Sequence, residues 1–165
     1  MSEYCVVVAE GSRARFFTVE PAEIPEMESG PNLVEHMSLT NPEHQARGES
    51  IYADLNSGRN RTAHGQGHGF DDHRAQHDAE MERRFARNIA RHLNDMTRGN
   101  GTQRVVLCAE KQMLGYLRPN LQGAIPPGVD VHEIPKDLAK LSARQLHDRL
   151  SKEGHIPRRK GLKGH

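Results

Sequence analysis

Apolar residues fall in short blocks near the two ends of the chain and thin out between them. Tyr4 to Ala9 (YCVVVA) is a continuous apolar run of strand length, the pattern of a strand buried on both faces. Gly11-Ser12 supplies a turn and Ala14 to Val19 (ARFFTV) a second strand, so the two predict a hairpin. Pro21, Pro25 and Pro31 punctuate the next loop. Leu33 to Leu39 then alternates, with Leu33, Glu35, Met37 and Leu39 on one face and Val34 and His36 on the other. Glu35 is out of place on that first face.

From Thr40 to Arg84 the strongly apolar residues are Ile51, Tyr52, Leu55, Phe70 and Met81, too few to bury a continuous face. The centre of the stretch, Asn56 to Gly69, holds Gly58, Gly65, Gly67 and Gly69 among Arg59, Arg61, His64 and His68. A polar loop over about 40–75 is expected, and loops of that length inside a compact domain are more often functional than accidental. Order returns with Met81, Phe85, Ile89, Leu93 and Met96, one apolar stripe of a helix from about Ala75 to Thr97. Arg104 to Ala109 (RVVLCA) reads as another fully buried strand. Met113, Leu114, Leu117 and Leu121 outline a second helical stretch, with Pro119 opening a restarted turn or kinking it. Val129 to Ile134 gives a fifth strand. Ser142 and Gln145 form a capping box ahead of Leu146 and Leu150.

Three strands, a loop, then helix–strand–helix–strand–helix predict an α/β fold. The first three strands pair antiparallel through short connections, and the last two, each reached through a helix, run parallel to a neighbour. The expected fold is a single-domain mixed five-stranded sheet with helices on both faces. That domain spans residues 1–154, and a basic flexible tail follows at 155–165, where Arg158, Arg159, Lys160 and Lys163 meet no acid.

Composition removes several classes. No run nears the roughly 20 apolar residues that cross a bilayer, and the mean hydropathy is −0.80, so no membrane association is expected. The N-terminus shows no basic region and no small-residue cleavage site, which points to the cytoplasm. Cys5 and Cys108 lie inside Val-rich runs and read as buried hydrophobes. The net charge is only +1, so a binding surface for an anion must come from local segregation of charge. Histidine occurs 11 times, and His44, His64, His68, His73 and His77 fall in the core-poor segment.

Val6 to Phe17 (VVVAEGSRARFF), Arg83 to Leu93 (RRFARNIARHL), Val105 to Leu121 (VVLCAEKQMLGYLRPNL) and Ile134 to Leu138 (IPKDL) together resemble the bacterial host attachment family, named for proteins required for attachment to host cells. The Gly-Ser-Arg-Ala-Arg turn and the Leu-Gly-x-Leu-Arg segment are the most specific parts. That family is similar in turn to the middle domain of archaeo-eukaryotic peptide-chain release factors, which implies a ribonuclease H-like sheet. In those factors a long loop carries Gly-Gly-Gln into the ribosome's peptidyl transferase centre. Here Gly65-Gln66-Gly67 stands in the equivalent loop, in the order Gly-Gln-Gly, and Asp54 to Arg59 (DLNSGR) keeps Gly58-Arg59 of the family's Asp-Arg-Pro-Gly-Arg without its proline. The resemblance implies a possible ribosome or tRNA partner, with Gln66 the one weak candidate for hydrolysis.

Three chemistries remain open. For nucleic acid, the candidate contacts are Arg13, Arg15, Arg59, Arg61, Gly65, Gln66, Gly67, Arg84 and Arg118. Aromatic residues are scarce and mostly at predicted core positions, which favours phosphate contacts over base readout. For metal, His64, His68, His73 and His77 are weak candidates. His73 and His77 share a face at i, i+4 if the helix starts before His73. Histidine is the side chain that suits both metal ligation and proton sensing, so a metal- or pH-responsive accessory protein is the alternative reading. For catalysis the sequence offers little: no phosphate loop ending in Lys-Ser or Lys-Thr and no dinucleotide fingerprint, so no cofactor is expected.

Overall fold

The structure, a computed structural model, describes residues 3–41, 67–99 and 101–160, with side chains of the first helix described from Gln76 onward. Among these residues the strands are β1 (Tyr4–Ala9), β2 (Arg13–Glu20), β3 (Asn32–Thr40), β4 (Arg104–Cys108) and β5 (Asp130–Ile134). The helices are α1 (Gly67–Thr97), α2 (Lys111–Leu121) and α3 (Ala143–Lys152). The strands form one mixed sheet in the order β3-β2-β1-β4-β5. β1 pairs antiparallel with β2 across a tight turn closed by Glu10 N–H donating to Arg13 O at 2.8 Å, and β2 pairs antiparallel with β3. β4 runs parallel to both β1 and β5, and the helical crossovers α1 and α2 make that possible.

The continuous apolar runs of β1 and β4 follow from their central places, because each alternate side chain meets a different hydrophobic layer. Cys5, Val7, Phe16, Val105 and Leu107 face α1 and α2 through Phe85, Ile89, Leu93, Leu114 and Leu117. Val6, Val8, Phe17, Val106 and Cys108 face Leu146 and Leu150 of α3 and Ile156 beyond it. Helices therefore cover both faces of the sheet, as the element order predicts.

β3 departs from simple alternation. Its register slips at a bulge: Phe16 pairs with Met37 and Phe17 with Glu35, which leaves His36 as the extra residue. The slip sends Met37 and Leu39 to the α1/α2 layer and leaves Leu33 with α3. Glu35 thus shares a face with Leu33 but not with Met37, and it accepts from Arg15 at 2.7 Å. The apparent misfit of Glu35 disappears.

The helices differ from expectation in two places. α1 begins at Gly67, eight residues before the start that the apolar stripe marks. Its described side chains, from Gln76, become buried only at Met81, and residues 67–80 hold Phe70 as their one strongly apolar residue, too little for a periodic stripe in sequence. In α2, Pro119 lies in the last turn of one continuous helix and neither restarts nor breaks it. Near a C-terminus the missing proline N–H removes a single bond, that to the carbonyl of Gly115.

α3 starts as predicted. The Ser142 hydroxyl accepts from Gln145 N–H at 3.1 Å and the Gln145 side chain accepts from Ser142 N–H at 3.0 Å. The segment expected as a flexible tail from His155 packs against the fold as far as Lys160. Ile156 is buried, the Arg159 guanidinium donates to Asn32 at 2.9 Å, and Lys160 N–H donates to Gly30 O at 2.7 Å. No helix among the described residues is long and apolar enough to cross a membrane.

Both cysteines are free and buried. Burial pushes the Cys5 thiol from its ordinary value of 9.0 up to about 12, and burial followed by the nearby Glu153 charge does the same for Cys108. The folded chain therefore keeps both protons where the unfolded chain gives them up. The thiols' contribution to stability is whole below pH 9.0 and is lost as the pH climbs from there towards about 12. In native buffer at neutral pH, iodoacetamide should label neither cysteine until the chain is unfolded. Labelling at the rate of a free thiol would contradict this placement.

Candidate nucleic-acid interface

α1 carries 31 residues, about 46 Å at 1.5 Å per residue. Its buried positions Met81, Phe85, Ile89 and Leu93 recur every four residues, and Arg83, Arg87 and Arg91 sit two positions after each of the first three. Two positions are about 200° of helical rotation, so these arginines are on the face opposite the core. Arg83, Arg84, Arg87, Arg91 and Arg98 are all exposed, and Asp95 is the single acid among residues 83–98.

One carboxylate is shared at the start of this row. Glu80 lies 3.8 Å from Arg83, 3.4 Å from Arg84 and 4.0 Å from Arg87. Asp78 and Glu82 flank Glu80 in the chain, so positive charge predominates only from Arg83 onward, where residues 83–98 hold five arginines and one acid. Exposed pairs of this kind contribute little to folding, about 0–1 kcal/mol each, so they impose no large penalty on exchanging partners. Arg91 and Arg98 donate to neutral partners, Asn88 at 2.7 Å and Asn94 at 2.9 Å.

Between α1 and α2 lies a groove of about 340 Å³, lined by Glu80, Arg83, Arg87, Gly115, Tyr116, Pro119 and Asn120. The Arg83 guanidinium stands 5.3 Å from the centre of the Tyr116 ring, a cation–π contact. The Tyr116 hydroxyl accepts from Gln112 at 2.9 Å, and the Asn120 amide donates to Tyr116 O at 2.9 Å. A larger hollow of about 590 Å³ lies at the other end of the sheet, beside Thr102 and Pro126, and Arg98 is the one charged residue in its lining. It lacks the convergent polar groups that mark a ligand site.

The residues singled out by sequence do not all meet here. Arg84 belongs to the α1 row and Gly67 opens the helix. Arg118 is on α2 but donates to Glu133 from Nε and Nη2, at 2.7–3.0 Å. Arg13 and Arg15 lie on the α3 side of the sheet. Arg13 donates to Ala139 O at 2.7 Å, while Arg15 donates to the carbonyls of Ala139 and Leu141, pairs with both Glu35 oxygens and lies 4.9 Å from the Phe17 ring. With its side chain 12% exposed, Arg15 is a clamp on the Leu138–Leu141 turn and has no free face for a ligand. Asp137 completes that turn by accepting from Ala139 N–H at 3.1 Å. Arg59, Arg61, His64, Gly65 and Gln66 lie outside the described residues. His73 and His77 are both on α1, which meets the i, i+4 condition, and His77 is exposed. Among the described residues no group of three metal-ligating side chains occurs.

Sequence reasoning missed Gly115, Tyr116 and Arg91. Arg91 was detectable from the four-residue spacing of arginines offset by two from the apolar stripe. Tyr116 was not, since an aromatic beside Leu114 and Leu117 reads as core until the helix's rotation is known. No curated protein matches the chain. The family described as "Protein required for attachment to host cells" matches residues 5–150, a span that holds all of the sheet but Tyr4, together with α1, α2 and the groove between them, and the chain belongs to that family.

Proposed function

We propose that this protein is a non-enzymatic RNA- or ribosome-associated module that holds nucleic acid through backbone phosphates. The observation that carries the reading is the row of exposed arginines on α1, with its single-acid composition, beside a polar groove. Phosphate contacts need flexible cations presented on an accessible face, and such a row tracks a strand without reading its sequence. Arg59, Arg61, Gly65 and Gln66 precede in sequence the helix that Gly67 opens, so that segment and the row belong to one recognition element in this reading. The strand order β3-β2-β1-β4-β5, in which β2 alone runs against the other four strands, supports a ribonuclease H-like, release-factor-like fold. A cytoplasmic location follows from a ribosomal partner.

Attachment to host cells is a phenotype; on this reading it arises through an effect on translation or RNA, not through display as an adhesin. Co-sedimentation tests it. The wild-type protein should pellet with ribosomes at low salt, and replacing Arg83, Arg87 and Arg91 together by glutamine should return it to the supernatant. Absence of the wild type from the ribosomal fractions at low salt would remove the proposal. The alternative, a metal- or pH-responsive accessory protein, rests on the His73–His77 spacing. It predicts zinc or nickel bound at micromolar affinity or tighter by tag-free protein.

A further inference from the structure

Within that reading, on which this inference rests, the geometry points to a base-stacking site: the α1–α2 groove takes an unstacked nucleotide of single-stranded RNA. Gly115 is the first reason. It is an exposed glycine inside α2, and a Cβ built there meets nothing within 4 Å. Neither packing nor a left-handed backbone requires glycine at this position, although glycine weakens a helix relative to alanine. What the missing side chain does is open the floor of the groove.

Pro119 adds to this. It has no N–H to give the carbonyl of Gly115 one turn earlier, so the helix's own bond to that acceptor is absent at the same notch. Around it stand groups of complementary kind. Tyr116, partly buried against the core, carries the Arg83 guanidinium over its ring at 5.3 Å from the centre, Arg83 and Arg87 supply cations, and Asn120 supplies an amide. An aromatic–guanidinium pair beside cations suits a nucleotide, whose base stacks while its phosphate meets an arginine. In a duplex the bases are stacked on each other and cannot enter. The occupant is therefore a single strand, and the groove separates single-stranded from double-stranded RNA although the arginine row does not.

The test measures fluorescence anisotropy of a short labelled single-stranded RNA of mixed sequence, and of the same strand annealed to its complement. Tyr116→Ala removes the stacking surface, and Gly115→Leu places a side chain in the notch from a Cβ position that has no neighbour within 4 Å. Each should weaken single-strand binding by about tenfold or more and leave duplex binding at the wild-type level. Gly115→Leu should melt no lower than wild type, which separates a blocked groove from a damaged fold. If both variants bind both RNAs like wild type while the Arg83/Arg87/Arg91 triple variant loses both, the groove is not a nucleotide site and the broader phosphate-binding reading stands. If the wild type binds neither RNA, both fall together.

Discussion

Arg15→Ala should destabilise the protein by about 3 kcal/mol, the cost of leaving partly buried acceptors and a carboxylate without their charged donor. At this chain length that corresponds to a fall in melting temperature of roughly 6–12 °C. One guanidinium holds Leu141 O and Glu35 and shares Ala139 O with Arg13, so its removal leaves Leu141 O and Glu35 unpaired and weakens the turn that delivers Leu138, Ala139 and α3 to the sheet. Arg15→Lys should recover little, because an ammonium cannot reproduce the fork that meets two carbonyls and a bidentate carboxylate. Thermal melting of the two variants checks this. A variant that melts with wild type but loses RNA would instead make Arg15 a ligand contact.

The second large effect concerns the α1 row. The triple substitution of Arg83, Arg87 and Arg91 by glutamine should weaken RNA binding on the order of a hundredfold at low salt while leaving the fold intact. The fold tolerates it because these side chains are exposed and their pairs with Glu80 lie at 3.8 and 4.0 Å, at the edge of useful ion-pair geometry. The contrast with Arg15 is the point. Arg15 is partly buried against backbone carbonyls and a carboxylate, whereas Arg83, Arg87 and Arg91 are exposed on α1.

That division explains what the sequence did and did not disclose. β1 and β4 were legible because both faces of a central strand are apolar, and the Ser142–Gln145 box was legible because capping is a local event. The β3 bulge was not: a register slip at Phe16/Phe17 depends on the partner strand, and it reverses the faces of Met37 and Leu39 relative to Leu33. The early start of α1 was hidden because residues 67–80 hold one strongly apolar residue, Phe70, and so show no periodic stripe. Arg13 and Arg15, the core of the most specific motif, looked like phosphate ligands because a guanidinium has the same spelling whether it meets a carbonyl or a phosphate. Their motif is architectural.

The most direct test of the central claim is the salt dependence of RNA affinity for the wild type and for the Arg83/Arg87/Arg91 triple variant. Each phosphate neutralised on a single strand contributes about 0.7 to the slope of log affinity against log salt. If the α1 row holds the backbone, the wild-type slope should be steep and the triple variant's shallower by about 2. Equal slopes in the two proteins would mean that these arginines touch no phosphate, and the α1 surface would lose its assigned role.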